Sequence, residues 1–541
     1  AQGNVITEQS LPLNPALIAA RKFLKESKAQ YVSTKKSLIW LKKKLTRKEY
    51  ADYDTWLRIM RVSRQELFAQ RKTKFSYAPK FSVVVPLYHT PAKFLKDLVR
   101  SMMYQSYANW ELCLVNASPD DVHLTSLLEN WAMRDKRIRV IRLEKNLGIA
   151  QNTNAGIAAS TGEFIAFLDH DDFLEPDALF CYADALNKDK TIDVFYSDED
   201  KTDEYAAHYF YPHFKSDFNI DLLHANNYMC HFLAVRKSLV DTVGGLNEKF
   251  DGAQDYDFVL RLTENTKKIY HCPRILYHWR CSNQSTKMYA IHAGKAALNA
   301  HYKRIGWNAR AQEGAVDGWY QTKFTLKEEP LVSILIPNKD HTDDLDVCLN
   351  SFFERADYQN YEFIIIENNS VLPETFAYYE KIEKEHDNVK VVYWEAGFNY
   401  SAINNFGFKF AKGDYIMLLN NDVELITPDI FQSMLGFCMR PEVGIVGAKL
   451  LYNDHTVQHA GVLADHVFKG IHEDDPGYMG RAISSQDVSA VTAACLLVKR
   501  SVYEEVGGLE DEFQVAFNDV DFCLKVRKAG YLIVYDADVK L

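Results

Sequence analysis

Residues 167–174 read Phe-Leu-Asp-His-Asp-Asp-Phe-Leu, so that Asp169, Asp171 and Asp172 follow directly on the apolar run "EFIAFL". Ionised carboxylates at the end of a buried segment call for a compensating positive charge. The hard cation that suits clustered aspartate oxygens is Mg2+ or Mn2+, an ion that usually shares its coordination shell with substrate phosphates. Taken alone, a D-x-D is equally an Asp-rich turn or a helix N-cap. The chain, however, does something similar again: "IMLLNNDVEL" (416–425) brings Asn420 and Asp422 to the end of a second apolar run.

The segments that must position these groups form a repeat. "FSVVVPLYHTPAKFLKDLVRSMMYQSYANWELCLVNAS" (81–118) resembles "VSILIPNKDHTDDLDVCLNSFFERADYQNYEFIIIENNS" (332–370), each reading as strand, turn, amphipathic helix and strand. An offset of 251 residues carries Pro86 to Pro337, Asn154 to Asn405, Gly162 to Gly413 and Asp171 to Asp422. "VGGLNEKFDGAQDYDFVLRL" (243–262) recurs as "VGGLEDEFQVAFNDVDFCLKV" (506–526). Two copies of one α/β domain are therefore expected, over 77–325 and 326–541, behind a helical extension over 1–76. Strands alternating with helices predict a mainly parallel, Rossmann-like sheet, with ligands beyond the carboxyl ends of the strands. Both acidic clusters fall at such an end.

The 541 residues suit two or three domains, and 47% hydrophobic content suffices for large cores. A net charge of −10 gives no general attraction to nucleic acid. Nine scattered cysteines without a C-x-x-C pair read as reduced thiols of a cytosolic protein. No apolar run approaches a membrane span; "VSAVTAACLLV" (488–498) is too short and reads as core. The opening "AQGNVITEQS" has neither an initiating Met nor a secretory apolar region.

With the repeat in view, "GIAQNTNAGIAASTGEFIAFLDHDD", "YSDEDK" (196–201), "GAQDYDFVLR" (252–261) and "ILYHWRCSNQST" (275–286) resemble the GT-A-fold domains of inverting family-2 glycosyltransferases that build bacterial surface polysaccharides. So do "LLNNDVEL", "QHAGV" (458–462) and "FNDVDFCLKVRKAGY" (517–531) in the second copy. The resemblance covers residues 81–541 and rests on the motifs as a set.

It implies a nucleotide-sugar donor, dTDP-rhamnose or a UDP-hexose, with Mn2+ or Mg2+ as cofactor. It further implies Asp169 and Asp171 as the metal pair, Asp255 as the base that deprotonates the acceptor hydroxyl, and His278 as a late metal or diphosphate ligand. Asn420, Asp422 and Asp519 take the corresponding places in the second copy. Pro86, Tyr88, Asn116 and Asn154, and then Pro337, Glu367 and Asn405, fall where the donor nucleotide binds. Asn116 and Glu367 replace the family's usual aspartate there, which leaves uracil or thymine open. Asp172, Asp198, Glu199, Gln458 and His459 are acceptor- or donor-site candidates. Structural readings stand beside these roles. Asp255 and Asp257 fit the N-cap and first turn of a helix, His278 fits a satisfied core histidine, "SDED" (197–200) a solvated turn, and Gln458-His459 a packed polar turn. The alignment of "IYHCPRIL" (269–276) with "VYDADVKL" (534–541) puts the counterpart of His278 beyond Leu541, so the second site reads as truncated and impaired.

The implied partner is a glycan, lipid-linked on the cytoplasmic side. Residues 21–48 hold eleven Lys/Arg and one acid, with Leu17, Leu24, Tyr31, Leu38 and Leu45 recurring every seventh residue. Such a helix suits docking on the first domain as part of a helical hairpin, a short coiled coil, or peripheral contact with the inner face of the plasma membrane. A second helical pattern spans 49–72. One catalytic domain with a scaffolding partner, or a non-catalytic glycan-binding protein, are the alternatives.

Overall fold

The computed structural model describes residues 53–281, 288–463 and 468–541; the basic stretch 21–48 lies outside them. Among the described residues the chain forms two compact units. One runs to Phe218 and continues over Asn227–His301; the other comprises Asn219–Asn226 and Tyr302–Leu541. The second unit therefore starts earlier than the expected 326. The hairpin that precedes its sheet belongs to it, because Phe324 packs edge-on to Phe437, with ring centroids 4.9 Å apart, and lies over Gly436.

The first unit carries β1 (Phe81–Leu87), β2 (Trp110–Asn116), β3 (Ile138–Arg142), β4 (Phe164–Phe167), β5 (Phe173–Leu174), β6 (Val194–Thr202), β7 (Tyr209–His213), β8 (Ala234–Arg236) and β9 (Ile269–Arg280). They form one sheet in the order β3-β2-β1-β4-β8-β6-β9-β5, with β7 on the edge of β6. The β1–β2, β1–β4 and β2–β3 pairs are parallel, whereas β8 runs antiparallel to β4 and β6. Helices cover the parallel part. On Ala92–Met103 the stripe Leu95, Leu98, Val99 and Met102 is buried at helical spacing and joins Val83 and Val85 of β1 in one core.

The second unit adds β10 (Ala309–Glu313), β11 (Tyr320–Phe324), β12 (Val332–Asn338), β13 (Tyr361–Asn368), β14 (Val389–Trp394), β15 (Tyr415–Leu419), β16 (Val443–Leu451), β17 (Val457–His459), β18 (Gln486–Asp487), β19 (Cys495–Lys499) and β20 (Leu532–Lys540). Its main sheet runs β14-β13-β12-β15-β19-β16-β20-β18. That is the first unit's order, except that β18 replaces β5 beside the last strand.

The pattern over 49–72 is not one helix. Tyr53–Met60 and Arg64–Lys72 are separate, because Ser63 caps the second: its side chain accepts from the Glu66 backbone while its own backbone N–H donates to the Glu66 carboxylate. The first of these helices docks on the first unit, with Trp56 and Leu57 buried beside Ile275.

Candidate active sites

Pro86 at the carboxyl end of β1, Asn116 at the end of β2, and Asp169 and Asp171 just past β4 share one edge of the first sheet. The loop after β4 is held from behind. Tyr277 donates its hydroxyl to Oδ2 of Asp172 at 2.5 Å, and the Arg280 backbone N–H donates to Oδ1 at 2.7 Å. The Arg280 guanidinium reaches the Asp171 carbonyl and the Asp97 carboxylate. Asp172 is thus a buried anchor of this loop. Burial, and then the charges of Asp169 and Asp171, push its carboxyl well up. Asp171 is also pushed up, by burial and with Asp169 adding to it. A loop that gathers this much acid is a chemically fitting place for a hard divalent ion on Asp169 and Asp171.

Asp255 sits in the first turn of the helix Gln254–Asn265. Its Oδ2 accepts from Asn227 Nδ2 at 2.9 Å, and burial raises its carboxyl above the ordinary range, with His231 opposing and Asp169 adding to the rise. Asp257, in the same turn, is fully buried and pairs with Arg261 at 2.8 Å, which in turn holds the carbonyls of Val243 and Gly245. The two carboxylates of "DYD" thus divide: Asp257 braces a loop, and Asp255 is held by Asn227 and feels the charges of His231 and Asp169.

"SDED" is not a solvated turn. It lies in β6, whose residues 194–200 are all buried, and each carboxylate has a basic partner. Asp198 accepts from the Lys215 backbone at 2.8 Å and lies 2.9 Å from His271 Nε2. Glu199 meets Lys215 Nζ at 3.2 Å and His231 Nδ1 at 3.0 Å. Asp200 and Glu175 enclose His278, at 2.5 Å from Nδ1 and 2.7 Å from Nε2. Both ring nitrogens of His278 are therefore engaged in a buried carboxylate network, which corrects its expected place as a metal ligand. Despite burial, Asp200 and Glu175 raise its pKa to about 9.

Other expected nucleotide contacts are also engaged elsewhere. Asn154 and Asn405 bracket the glycine pair of "VGGL", Asn154 through Leu246 and Asn405 through Leu509, each with bonds to both the N–H and the carbonyl. Asn116 accepts from Ser118 N–H and donates to Thr125. Glu367 is buried and holds Ser370 and the Tyr379 hydroxyl. Tyr88 is half exposed; Pro337 lies near the end of β12 as Pro86 does in β1.

In the second unit Asn420 and the exposed Asp422 follow β15. Asp519 lies in the first turn of Asn518–Lys528 and accepts from the Val520 N–H. The Tyr400 hydroxyl is raised by burial and then by the nearby charges of Asp519 and Asp422. His459 is buried in the short strand β17 and accepts from the Thr492 N–H at 3.2 Å, whereas Gln458 is exposed; the pair is a strand edge and not the expected packed turn.

Sequence reasoning missed Asn227, Lys215 and His231. His231 Nε2 is 3.7 Å from Asp169, and its ring stacks on Tyr277 at 4.4 Å. Against burial, Cys230, Glu199 and Asp169 hold His231 well above the usual imidazole range. Donor atoms of Glu199, Cys230 and His231 lie within 4.8 Å of one another, but the Lys215 ammonium already neutralises the carboxylate. The signal was available in the repeat: "NYMCHF" (227–232) carries an amide and an imidazole where its counterpart "AVTAAC" (490–495) is mostly apolar.

The sequence profile of Glycosyl transferase family 2 matches residues 82–244 and 333–507. An uncharacterised protein, y4gI, of Sinorhizobium fredii is 40% identical over 84% of this chain and 52% of its own length. The O-antigen biosynthesis protein RfbC of Myxococcus xanthus is 36% identical over 91% of this chain and 39% of its own. The chain thus spans about half or less of these relatives. Among solved structures, Staphylococcus aureus TarS 1–349 with UDP-GlcNAc is 19% identical, covering 41% of this chain and 73% of its own, with a TM-score of 0.34. No helix among the described residues is long and apolar enough to cross a membrane. Two matched regions, each on its own α/β sheet with an acidic loop past the central parallel strand, make this chain a tandem member of glycosyl transferase family 2.

Proposed function

We propose that the first unit transfers a sugar from a nucleotide-sugar donor to a growing glycan with inversion at the anomeric carbon. The observation that carries this reading is Asp255, a half-buried carboxylate held by Asn227 and near enough to His231 and Asp169 to feel their charges. Asp169 and Asp171 would hold Mn2+ or Mg2+, which when bound supplies positive charge to the departing diphosphate. Asp255 accepts the proton of the acceptor hydroxyl as its oxygen attacks. The bond from the anomeric carbon to phosphate oxygen breaks on the opposite face, and no covalent sugar–enzyme intermediate is required.

The product is a surface polysaccharide assembled on a lipid-linked acceptor at the inner face of the membrane, with dTDP-rhamnose or a UDP-hexose as donor. The relative named for O-antigen biosynthesis supports the product class, as do Pasteurella multocida relatives named hyaluronan synthase and chondroitin synthase. The basic stretch 21–48 suits contact with anionic lipid headgroups.

Asn420, Asp422 and Asp519 give the second unit the same set with one carboxylate fewer. That difference favours a second reading, in which the first unit is live and the other scaffolds it. Mn2+-dependent release of nucleoside diphosphate tests both. Loss in Asp255→Asn alone selects the single live unit, and partial loss in each of Asp255→Asn and Asp519→Asn selects two. Full activity in the double variant would refute both.

A further inference from the structure

Asn227 stands between the base and an unmet hydrogen bond. Its Nδ2 donates to Asp255 Oδ2 at 2.9 Å. A carboxylate only accepts, so this contact fixes the amide with nitrogen toward Asp255 and oxygen away from it. That oxygen, Oδ1, is buried and has no hydrogen-bond partner among the described residues. A buried acceptor left unmet is rare and destabilising, and it is tolerated where a ligand brings the missing donor. The ligand expected beside Asp255 is an acceptor sugar, whose hydroxyls are such donors.

We propose that Asn227 sets acceptor specificity in the first unit: its Oδ1 receives the hydroxyl next to the attacking one, so that Asn227 and Asp255 together read a vicinal diol. This rests on the reading of Asp255 as the base. Gauche vicinal hydroxyls lie within hydrogen-bond distance of each other, and the Asp255 carboxylate and Asn227 amide that would take them are themselves joined by a hydrogen bond of 2.9 Å. The attacking oxygen gives its proton to Asp255 and bonds the anomeric carbon, while diphosphate leaves with the electron pair of the broken C–O bond. The neighbouring hydroxyl keeps its proton and only donates a hydrogen bond to Asn227. The second unit has no equivalent amide. β8 pairs through Val235 with Val194, and β19 through Val498 with Ile445, so counting back from these residues places Ala490 where the first unit has Asn227.

The test is made in the Asp519→Asn background, with Mn2+ and the nucleotide sugar that releases diphosphate fastest. Water serves as the acceptor that reads Asp255 alone. Methyl pyranosides of glucose, galactose, mannose and rhamnose, with their monodeoxy derivatives, read the diol. A preferred pyranoside is expected to exceed its deoxy analogue in kcat/KM by about 10- to 100-fold. Asn227→Ala should bring the parent sugar down to the deoxy rate and abolish the preference. Asn227→Ser, which keeps a small polar group, should do the same and serves if the alanine variant folds poorly. A preference that survives in either variant overturns the proposal, and so does a parent enzyme that ignores every pyranoside. If Asp255→Asn transfers at the parent rate, the base reading fails, while a preference lost in Asn227→Ala would still report the diol contact.

Discussion

Nδ1 of His278 lies 2.5 Å from Oδ1 of Asp200, in a pocket where neither side chain meets solvent. With Glu175 on the other nitrogen, the ring is held as an imidazolium with its pKa raised to about 9, against about 6.5 in an unfolded chain. A raised folded-state pKa stabilises the fold fully below about pH 6.5, and the contribution is lost as pH climbs through about 9. The urea midpoint of the wild type should therefore fall between about pH 6.5 and 9.5 more steeply than that of His278→Gln. Equal slopes would show that His278 carries no extra proton in the folded chain.

The same cluster is closed from the N-terminal side. Arg61 Nε meets Glu175 Oε1 at 2.7 Å, and the Tyr53 hydroxyl donates to Asp200 Oδ2 at 2.5 Å. Removing Arg61 leaves a nearly buried carboxylate with one cation fewer. Arg61→Ala should cost about 1–3 kcal/mol and Tyr53→Phe about 1 kcal/mol of unfolding free energy. Arg61→Lys should recover part of the loss. Urea denaturation checks all three, and an unchanged midpoint in Arg61→Ala would show that the helix merely rests on the unit.

The shared order of the two sheets was legible in the sequence because strand ends, Pro86 and Pro337, and the D-x-D positions keep a constant spacing. The partners of the carboxylates were not. Lys215, His231 and Asn227 reach the site through β7, β8 and the segments that lead into them, whose separation from Asp169 along the chain follows no fixed interval. His278 was misplaced for a related reason: a histidine two residues before Arg280 looks alike whether it faces a metal or a carboxylate. Only the pairing of β6 with β9, which sets Asp200 beside His278, decides between them.

Gly156 and Gly407 are the glycines of the repeated Asn-x-Gly, and both were legible as landmarks but not as packing. A Cβ on Gly156 would stand 2.5 Å from Val84 Cγ1 and 2.8 Å from Val115 Cγ2, where the helix presses on β1 and β2. On Gly407 it would meet Ile366 Cδ1 at 2.4 Å. Alanine gains up to about 1 kcal/mol of helix propensity, but overpacking costs about 1–3 kcal/mol. Gly156→Ala and Gly407→Ala should each be net destabilising in thermal melts, and pairing Gly156→Ala with Val84→Ala should restore part of the loss.

The two acidic loops differ in more than one residue. Strand register places Ala494 where the first unit has His231 and Leu450 where it has Glu199, and the repeat places Asn420 where it has Asp169. The first unit therefore sets the charge-compensated His231 and Glu199 behind Asp169 and Asp171, and the second has apolar residues at those register positions. An amide oxygen coordinates a hard cation less strongly than a carboxylate does. Asn420→Asp should therefore raise Mn2+ affinity at the second site, by about tenfold, without needing a new partner, because Asn420 is only partly buried and Asp422 is exposed. The converse change, Asp169→Asn, should weaken the first site more than charge alone implies, since it leaves the His231 imidazolium facing a neutral amide and repelling the ion. Electron paramagnetic resonance of free Mn2+, with the other site silenced by Asp171→Asn or Asp422→Asn, measures each affinity separately. A second site that binds no tighter in the Asn420→Asp variant would mean that its loop cannot bring two oxygens to one ion.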